Sequence, residues 1–233
     1  MDNALKGAVT GHLLQFITED RRRRINEVLD QRSRFLSVVL EDLYQPHNAS
    51  AVLRSCDCFG VQDVHIIENE NRFNPSKGVT IGSDQWLSLH KYNASGDGEN
   101  TRRCYRQLRE QGYRLVATTP HEDDVTIDQV PLDQKTALVF GSELTGLSDV
   151  ALEEADAYAR IPMVGFSESF NISVSAALCL YELSTRLRRE GTGWELTEDE
   201  KRDLRLEWVR KSVRAADKIE ERFLAERQSS VDN

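Results

Sequence analysis

The sequence predicts an α/β fold: a parallel β-sheet flanked by helices, with further helices at both ends. Two observations carry this prediction. Short apolar runs alternate along the chain with segments of helical periodicity, the signature of β–α–β units. The runs are also apolar throughout, instead of alternating apolar and polar. Each strand is therefore buried on both faces, as happens where helices cover a parallel sheet on both sides. At 233 residues the chain has room for one such domain with a sizeable core, plus terminal additions.

The elements follow in order. Thr18 is a natural N-cap for a charged helix over residues 18–31, with Ile25, Val28 and Leu29 at helical spacing. Residues 35–40 form a first strand. Residues 48–59 form a helix with Asn48 as N-cap and Gly60 as stop signal. Residues 64–67 and 86–89 are strands, and 93–100 form a polar surface loop. A helix over 102–111 ends at Gly112. Strands follow at 114–118, 137–140 and 159–161, then a long helix over 172–189. After the Gly191-Thr192-Gly193 break, one charged helix runs over 197–227 and reads as an appendage, not a second core. The organisation expected is a helical extension over 1–34, a central domain over 35–190 and a second helical extension over 191–233.

Composition narrows the function. Thirty Lys and Arg stand against 39 Asp and Glu, a net charge of −9, which opposes nucleic-acid binding by the surface as a whole. Basic clusters remain: Arg21, Arg22, Arg23 and Arg24; Arg186, Arg188 and Arg189; Arg210, Lys211 and Arg214. No apolar run approaches the roughly 20 residues that span a bilayer. The N-terminus, MDNALKGAVT, lacks the basic and apolar regions of a signal peptide, so a cytoplasmic protein with no membrane partner is expected. Cys56, Cys58, Cys104 and Cys179 have neither disulfide-framework nor zinc spacing. Reduced structural thiols and no metal are expected.

Three segments sit where a strand ends or a helix begins, the place where open α/β sheets bind ligands. The first is Pro46-His47-Asn48, with Arg54 about 1.7 turns further along the same helix. Its guanidinium fork suits a phosphate or a hydroxyl. The second is Gly141-Ser142-Glu143-Leu144-Thr145-Gly146-Leu147-Ser148. Its glycines have P-loop spacing, but Leu147 occupies the position of the phosphate-binding lysine, which excludes a P-loop nucleotidase. The third runs from Arg160-Ile161-Pro162-Met163 through Ser169-Phe170-Asn171 into a helix that begins with small residues. No Gly-rich turn follows the first strand, so a Rossmann-type cofactor site is not supported.

Taken together, these segments resemble the three ordered motifs of the SPOUT superfamily of RNA methyltransferases, most closely its TrmH branch of tRNA guanosine 2′-O-methyltransferases. The resemblance runs from the Arg-rich helix and Val38-Val39-Leu40-Glu41-Asp42 through Asn48, Arg54 and Glu143 to Asn171-Ile172-Ser173-Val174. It implies a five- or six-stranded sheet with a C-terminal deep trefoil knot, and S-adenosylmethionine as methyl donor. Thr118, Gly141, Ile161, Met163 and Ser169 match its cofactor-contacting positions. It further implies a homodimer with the site at the subunit interface, and tRNA as partner. Arg54 matches the family's catalytic arginine. Asn48, Glu143, Ser169 and Asn171 match positions that shape the pocket, and His47 also fits the pattern.

The implied reaction is displacement at the methyl carbon by a ribose oxygen, with a neutral thioether leaving. A guanidinium is essentially never deprotonated, so Arg54 reads as a stabiliser of the developing alkoxide in preference to a base. Arg21, Arg22, Arg23, Arg24, Arg186 and Arg188 are the expected RNA contacts. The implied target is the 2′-hydroxyl of guanosine 18 in the D-loop of tRNA. Ribosomal RNA as substrate, and a non-catalytic RNA-binding module, are the alternatives. Ribosomal members often carry a separate RNA-binding domain, whereas only residues 1–34 precede the first strand here. The set Asn48, Arg54, Glu143 and Asn171 is more than a simple binder needs.

Overall fold

The computed structural model describes residues 1–73, 80, 82–94, 98–120, 125–191 and 193–229. The chain divides into two compact units. One comprises residues 33–194; the other joins residues 1–32 to the chain from 195 onward.

The first unit holds seven parallel strands: β1 (Leu36–Glu41), β2 (Asp63–Ile67), β3 (Ser88–Tyr92), β4 (Arg114–Thr118), β5 (Val125–Thr126), β6 (Thr136–Phe140) and β7 (Ala157–Arg160). Their spatial order is β3-β2-β1-β6-β4-β7-β5. The chain runs outward from β1 to β3, then crosses to β4, and β6 returns to fill the gap beside β1. Leu40 pairs with Phe140, Ala117 with Val139 and Thr118 with Ala159. Four strand ends thus come together where the strand order reverses.

Two-residue periodicity sorts the apolar strands into two cores. Leu36, Val38, Leu40, Val116, Leu138 and Phe140 face one side, against α3 (Pro46–Phe59) and α6 (Ile172–Glu190). Val39, Leu115, Ala137 and Val139 face the other, which is covered by α4 (Glu99–Glu110) and α5 (Asp149–Glu153). The expected parallel sheet with helices on both faces is what the chain builds.

Several expected boundaries move, each for a local reason. Helix α3 starts at Pro46, not Asn48. Proline at the first helical position loses no hydrogen bond, and Gln45 becomes the N-cap. Trp86 lies in a 3₁₀ turn over Ser83–Trp86, and β3 begins at Ser88. Of the polar loop expected over 93–100, Glu99 and Asn100 belong to α4. Asn100 is fully buried and donates to the Glu68 carbonyl. Residues 95–97 lie outside the described residues.

The second unit contains α1 (Asn3–Leu13), α2 (Glu19–Leu29), α7 (Glu198–Ser212) and α8 (Ala216–Ser229). The two ends of the chain, read from the sequence as separate extensions, pack on one another: α7 lies against both α1 and α2. Val9, Leu13, Ile25, Leu29, Leu204, Trp208 and Val209 are buried, and the guanidinium of Arg32 lies 5.3 Å from the Trp208 ring centroid. Lys201 bridges to Asp30 at 2.9 Å. The single helix expected over 197–227 is broken after Ser212, with Ala215 in a left-handed conformation at φ 57°.

Candidate active site

A cavity of about 600 Å³ opens beyond the carboxyl ends of β1, β4 and β6. A pocket of about 120 Å³ adjoins it beyond β7, sharing Thr118, Thr119, Pro120, Ser169, Phe170 and Ser175. The ends of β4, β6 and β7 contribute directly. Thr118 closes β4, and its hydroxyl donates to the Val139 carbonyl at 2.9 Å. Gly141 follows β6 directly, and Ile161 follows β7. Met163 and Ser169 come from the segment that leads into α6.

Gly141 is required by close packing. A Cβ there would collide with backbone atoms of Gly146 and Leu147. The turn between the two glycines folds back on itself: Ser142 N–H donates to Gly146 O at 2.9 Å, and Gly146 N–H to Ser142 O at 3.1 Å. Gly146 has φ 72°, a conformation that costs glycine nothing. Thr145 N–H adds a bond to the Ser142 hydroxyl at 3.1 Å. Leu144, at the tip, is exposed.

This turn presents Glu143 to a polar network drawn from all three motifs. Asn48 Nδ2 donates to Glu143 Oε1 at 2.6 Å and to Gln45 Oε1 at 3.2 Å. Asn171 Nδ2 donates to Asn48 Oδ1 at 3.2 Å. Asn171 is also the N-cap of α6, accepting from Ser173 N–H at 2.9 Å. The second carboxylate oxygen, Glu143 Oε2, is buried with no hydrogen-bond partner among the described residues. A buried acceptor left open in this way is costly unless something binds there.

The expected cofactor-contacting residues Thr118, Gly141, Ile161, Met163 and Ser169 all line these two spaces, and so do Asn48, Glu143 and Asn171. Arg54 does not line either cavity. It stands exposed on α3 and makes no hydrogen bond or ion pair among the described residues. His47 is exposed as well.

The expected RNA-contacting arginines divide into two groups. Arg186 donates to the carbonyls of Asp128 and Val130, at 2.7 and 3.1 Å. Arg188 donates to the Ser184 and Phe59 carbonyls at 3.3 and 3.2 Å, and its guanidinium lies 4.9 Å from the Trp194 ring centroid. Both stitch the fold together. Arg21, Arg23 and Arg24 stand exposed on α2, while Arg22 donates to the Leu14 carbonyl at 3.1 Å.

Sequence reading missed Thr119, Pro120 and Gln45. Pro120 lies outside all three motifs, although proline just past a strand is a recognisable punctuation signal. Cys179, expected to be merely structural, lines the smaller pocket. Burial pushes its thiol up to about 12, so it stays protonated at neutral pH and is no nucleophile. Cys56 and Cys104 are buried and Cys58 is exposed. Among the described residues no group of three or more His, Cys, Asp and Glu side chains is placed to hold a metal ion.

Residues 36–181 match the model of the SpoU rRNA Methylase family. The chain belongs to this family. The SpoU relatives include a tRNA (guanosine(18)-2′-O)-methyltransferase from Borreliella burgdorferi. It is 41% identical, and the match covers 88% of this chain and 91% of the relative. An enzyme of the same name from Thermus thermophilus is 38% identical over 75% and 87% of the two chains. Among solved structures, the A. aeolicus TrmH/SpoU tRNA modifying enzyme superposes with a TM-score of 0.73 at 30% identity, covering 84% of this chain and 98% of its own. The SpoU methyltransferase AviRb from Streptomyces viridochromogenes, solved in complex with the cofactor AdoMet, gives 0.59 at 25% identity over 75% and 66%.

Proposed function

We propose that this chain is a tRNA (guanosine(18)-2′-O)-methyltransferase that uses S-adenosylmethionine. The carrying observation is the network joining Asn48, Glu143 and Asn171 in the lining of a cavity that the Gly141 turn helps to form. Similarity over 75–88% of the chain to enzymes of that name supports the substrate.

The cavity fits the methyl donor. Phe140, Leu147, Ile161, Met163 and Phe170 offer apolar walls to the adenine and the alkyl arms of the sulfonium, and the open oxygen of Glu143 suits a cationic or hydroxyl-bearing group. Bound there, S-adenosylmethionine supplies an electrophilic methyl group on a sulfonium. The work of the protein is orientation and charge. Asn48 holds the Glu143 carboxylate and Asn171 holds Asn48, the apolar walls orient the donor, and Arg54 stabilises the negative charge left on the ribose oxygen as its hydroxyl proton is released to solvent. Arg21, Arg23 and Arg24 on α2 supply phosphate contacts in this reading; Arg186 and Arg188 serve the fold. The C-terminal trefoil knot implied by the family resemblance belongs to the same reading.

The deciding experiment treats unmodified tRNA with enzyme and S-adenosylmethionine and maps the product by mass spectrometry. One methyl on the ribose of guanosine 18 is expected. A methyl on a base, on another ribose, or only on ribosomal RNA overturns the assignment.

The chain acts as a homodimer in this reading. Val174, Leu178 and Tyr181 are exposed at helical spacing along α6, opposite the buried Ala176, Leu180, Leu183 and Leu187. An apolar stripe of this kind marks an interface. It runs beside α3, the helix that carries Arg54. Light scattering is expected to give twice the 26.6 kDa chain mass; a fully active monomer would sink the dimer.

Among the described residues no helix is long and apolar enough to cross a membrane.

A further inference from the structure

The loop from Gly141 to Ser148 carries Glu143, and pairing of β6 with β1 and β4 fixes its near end. A buried charge fixes its far end. Glu41, the last residue of β1, is 1% exposed. Its Oε2 accepts from Ser148 N–H at 2.9 Å. Its Oε1 accepts from the Ser148 hydroxyl at 2.9 Å and from the Thr101 hydroxyl at 2.6 Å. Ser148 in turn caps α5, its hydroxyl oxygen accepting from Ala151 N–H at 3.1 Å. One carboxylate therefore ties β1, α4 and the start of α5 to the end of the loop.

The choice of residue is informative. A buried carboxylate satisfied by neutral donors, with no ion pair among the described residues, is an expensive way to fill a core position. What it gains is hold: hydrogen bonds to an ionised acceptor are about twice as strong as neutral ones. Two of the three bonds go to a single residue, at the hinge of the loop that forms the cavity floor. The sheet itself uses none of them.

We propose that Glu41 is a positioning residue for the methyl-donor site, clamping Ser148 so that the 141–148 turn keeps the cavity floor and Glu143 in register with Asn48. This rests on the methyltransferase reading above. The test therefore uses direct calorimetric binding of S-adenosylmethionine, without RNA, alongside hydrogen exchange of the 141–148 amides.

Glu41→Gln preserves volume but removes the acceptor for Ser148 N–H or the hydroxyl bonds. It is expected to weaken binding about tenfold and to speed exchange within 141–148 selectively. Ser148→Ala keeps the backbone bond and is expected to give a smaller loss. The double variant is expected to bind no worse than Glu41→Gln by more than about twofold, since both act through one contact. Asp63→Asn is the control. It disrupts another buried carboxylate of the same sheet, which bonds to Arg34 and His90 at 3.0 Å, and it is expected to lower the melting temperature without changing binding.

Glu41→Gln binding within twofold of the unsubstituted protein, or Asp63→Asn weakening it as much, overturns the proposal. If Glu41→Gln does not fold, Ser148→Ala decides: unchanged binding and unchanged exchange overturn it. Failure of the unsubstituted protein to bind the donor would instead refute the methyltransferase reading.

Discussion

Arg54→Ala is expected to lower kcat for methyl transfer to tRNA by roughly a thousandfold while leaving the dissociation constant for S-adenosylmethionine within about twofold, the scale set by removing one preorganised oxyanion donor. The split follows from position. The cavity is walled by Gln45 and Asn48 at the start of α3, by the ends of β4, β6 and β7 and by the segment before α6; Arg54, further along α3, lines none of it. Its charge is exposed and is not paired within the described residues. No packing is lost on truncation, and the fold has no claim on the guanidinium. Its value then lies in what arrives from outside, a ribose oxygen that gains negative charge only as the reaction proceeds. An interaction made only in the transition state appears in kcat and not in cofactor binding. Arg54→Lys keeps the charge but loses the planar fork, and is expected to recover little. Cofactor affinity falling in step with rate would place Arg54 in the donor site and break this division of labour.

The sheet was legible because its central strands β1, β2, β4 and β6 are buried and read as apolar runs, while the more polar and exposed β3 and β7 were read with shifted bounds. The seventh, Val125–Thr126, is two residues long, too short for any periodicity. Helix α1 went unread because Gly7 and Gly11 depress helix propensity by about 1 kcal/mol each. Neither glycine is demanded by space, since a Cβ at either meets nothing; packing against α7 holds the helix regardless. The break between α7 and α8 falls in Lys211-Ser212-Val213-Arg214-Ala215, which contains neither Gly nor Pro, so no local signal announces it.

The candidate site was legible through its three motifs, but of the two parts offered to Asn48, helix cap and pocket residue, it does not take the first. Asn48 reads as a helix cap, because asparagine before an apolar helical run is the usual cap. Pro46 starts the helix two residues earlier, and that frees the Asn48 side chain to hold Glu143. The arginines were less legible. A basic cluster near a helix end looks the same in sequence whether it faces solvent or donates to carbonyls, and Arg186 and Arg188 do the latter.

Gly141→Ala is expected to abolish measurable donor binding, raising the dissociation constant at least a hundredfold, in a protein whose far-UV circular dichroism is unchanged. The added methyl has nowhere to go. It would overlap the carbonyl of Gly146 and the amide nitrogen of Leu147, and these are backbone atoms, which cannot swing aside as a side chain can. Gly141 cannot retreat either, because Phe140 before it is locked in β6 against Leu40 of β1. The turn must therefore open, breaking one or both bonds between Ser142 and Gly146 and moving Glu143 away from Asn48. Overpacking costs about 1–3 kcal/mol, small against the burial that secures the two cores, so the sheet survives while the cavity floor does not. Gly146→Ala separates crowding from conformation. A Cβ there meets nothing within 4 Å, and the cost is only that of holding alanine at φ 72°, about 1–2 kcal/mol. Its donor affinity is expected to fall about tenfold, far less than for Gly141→Ala. Equal losses at the two glycines, or donor binding by Gly141→Ala within threefold of the unsubstituted protein, would show that the close approach of the backbone at Gly141 does not shape the donor site.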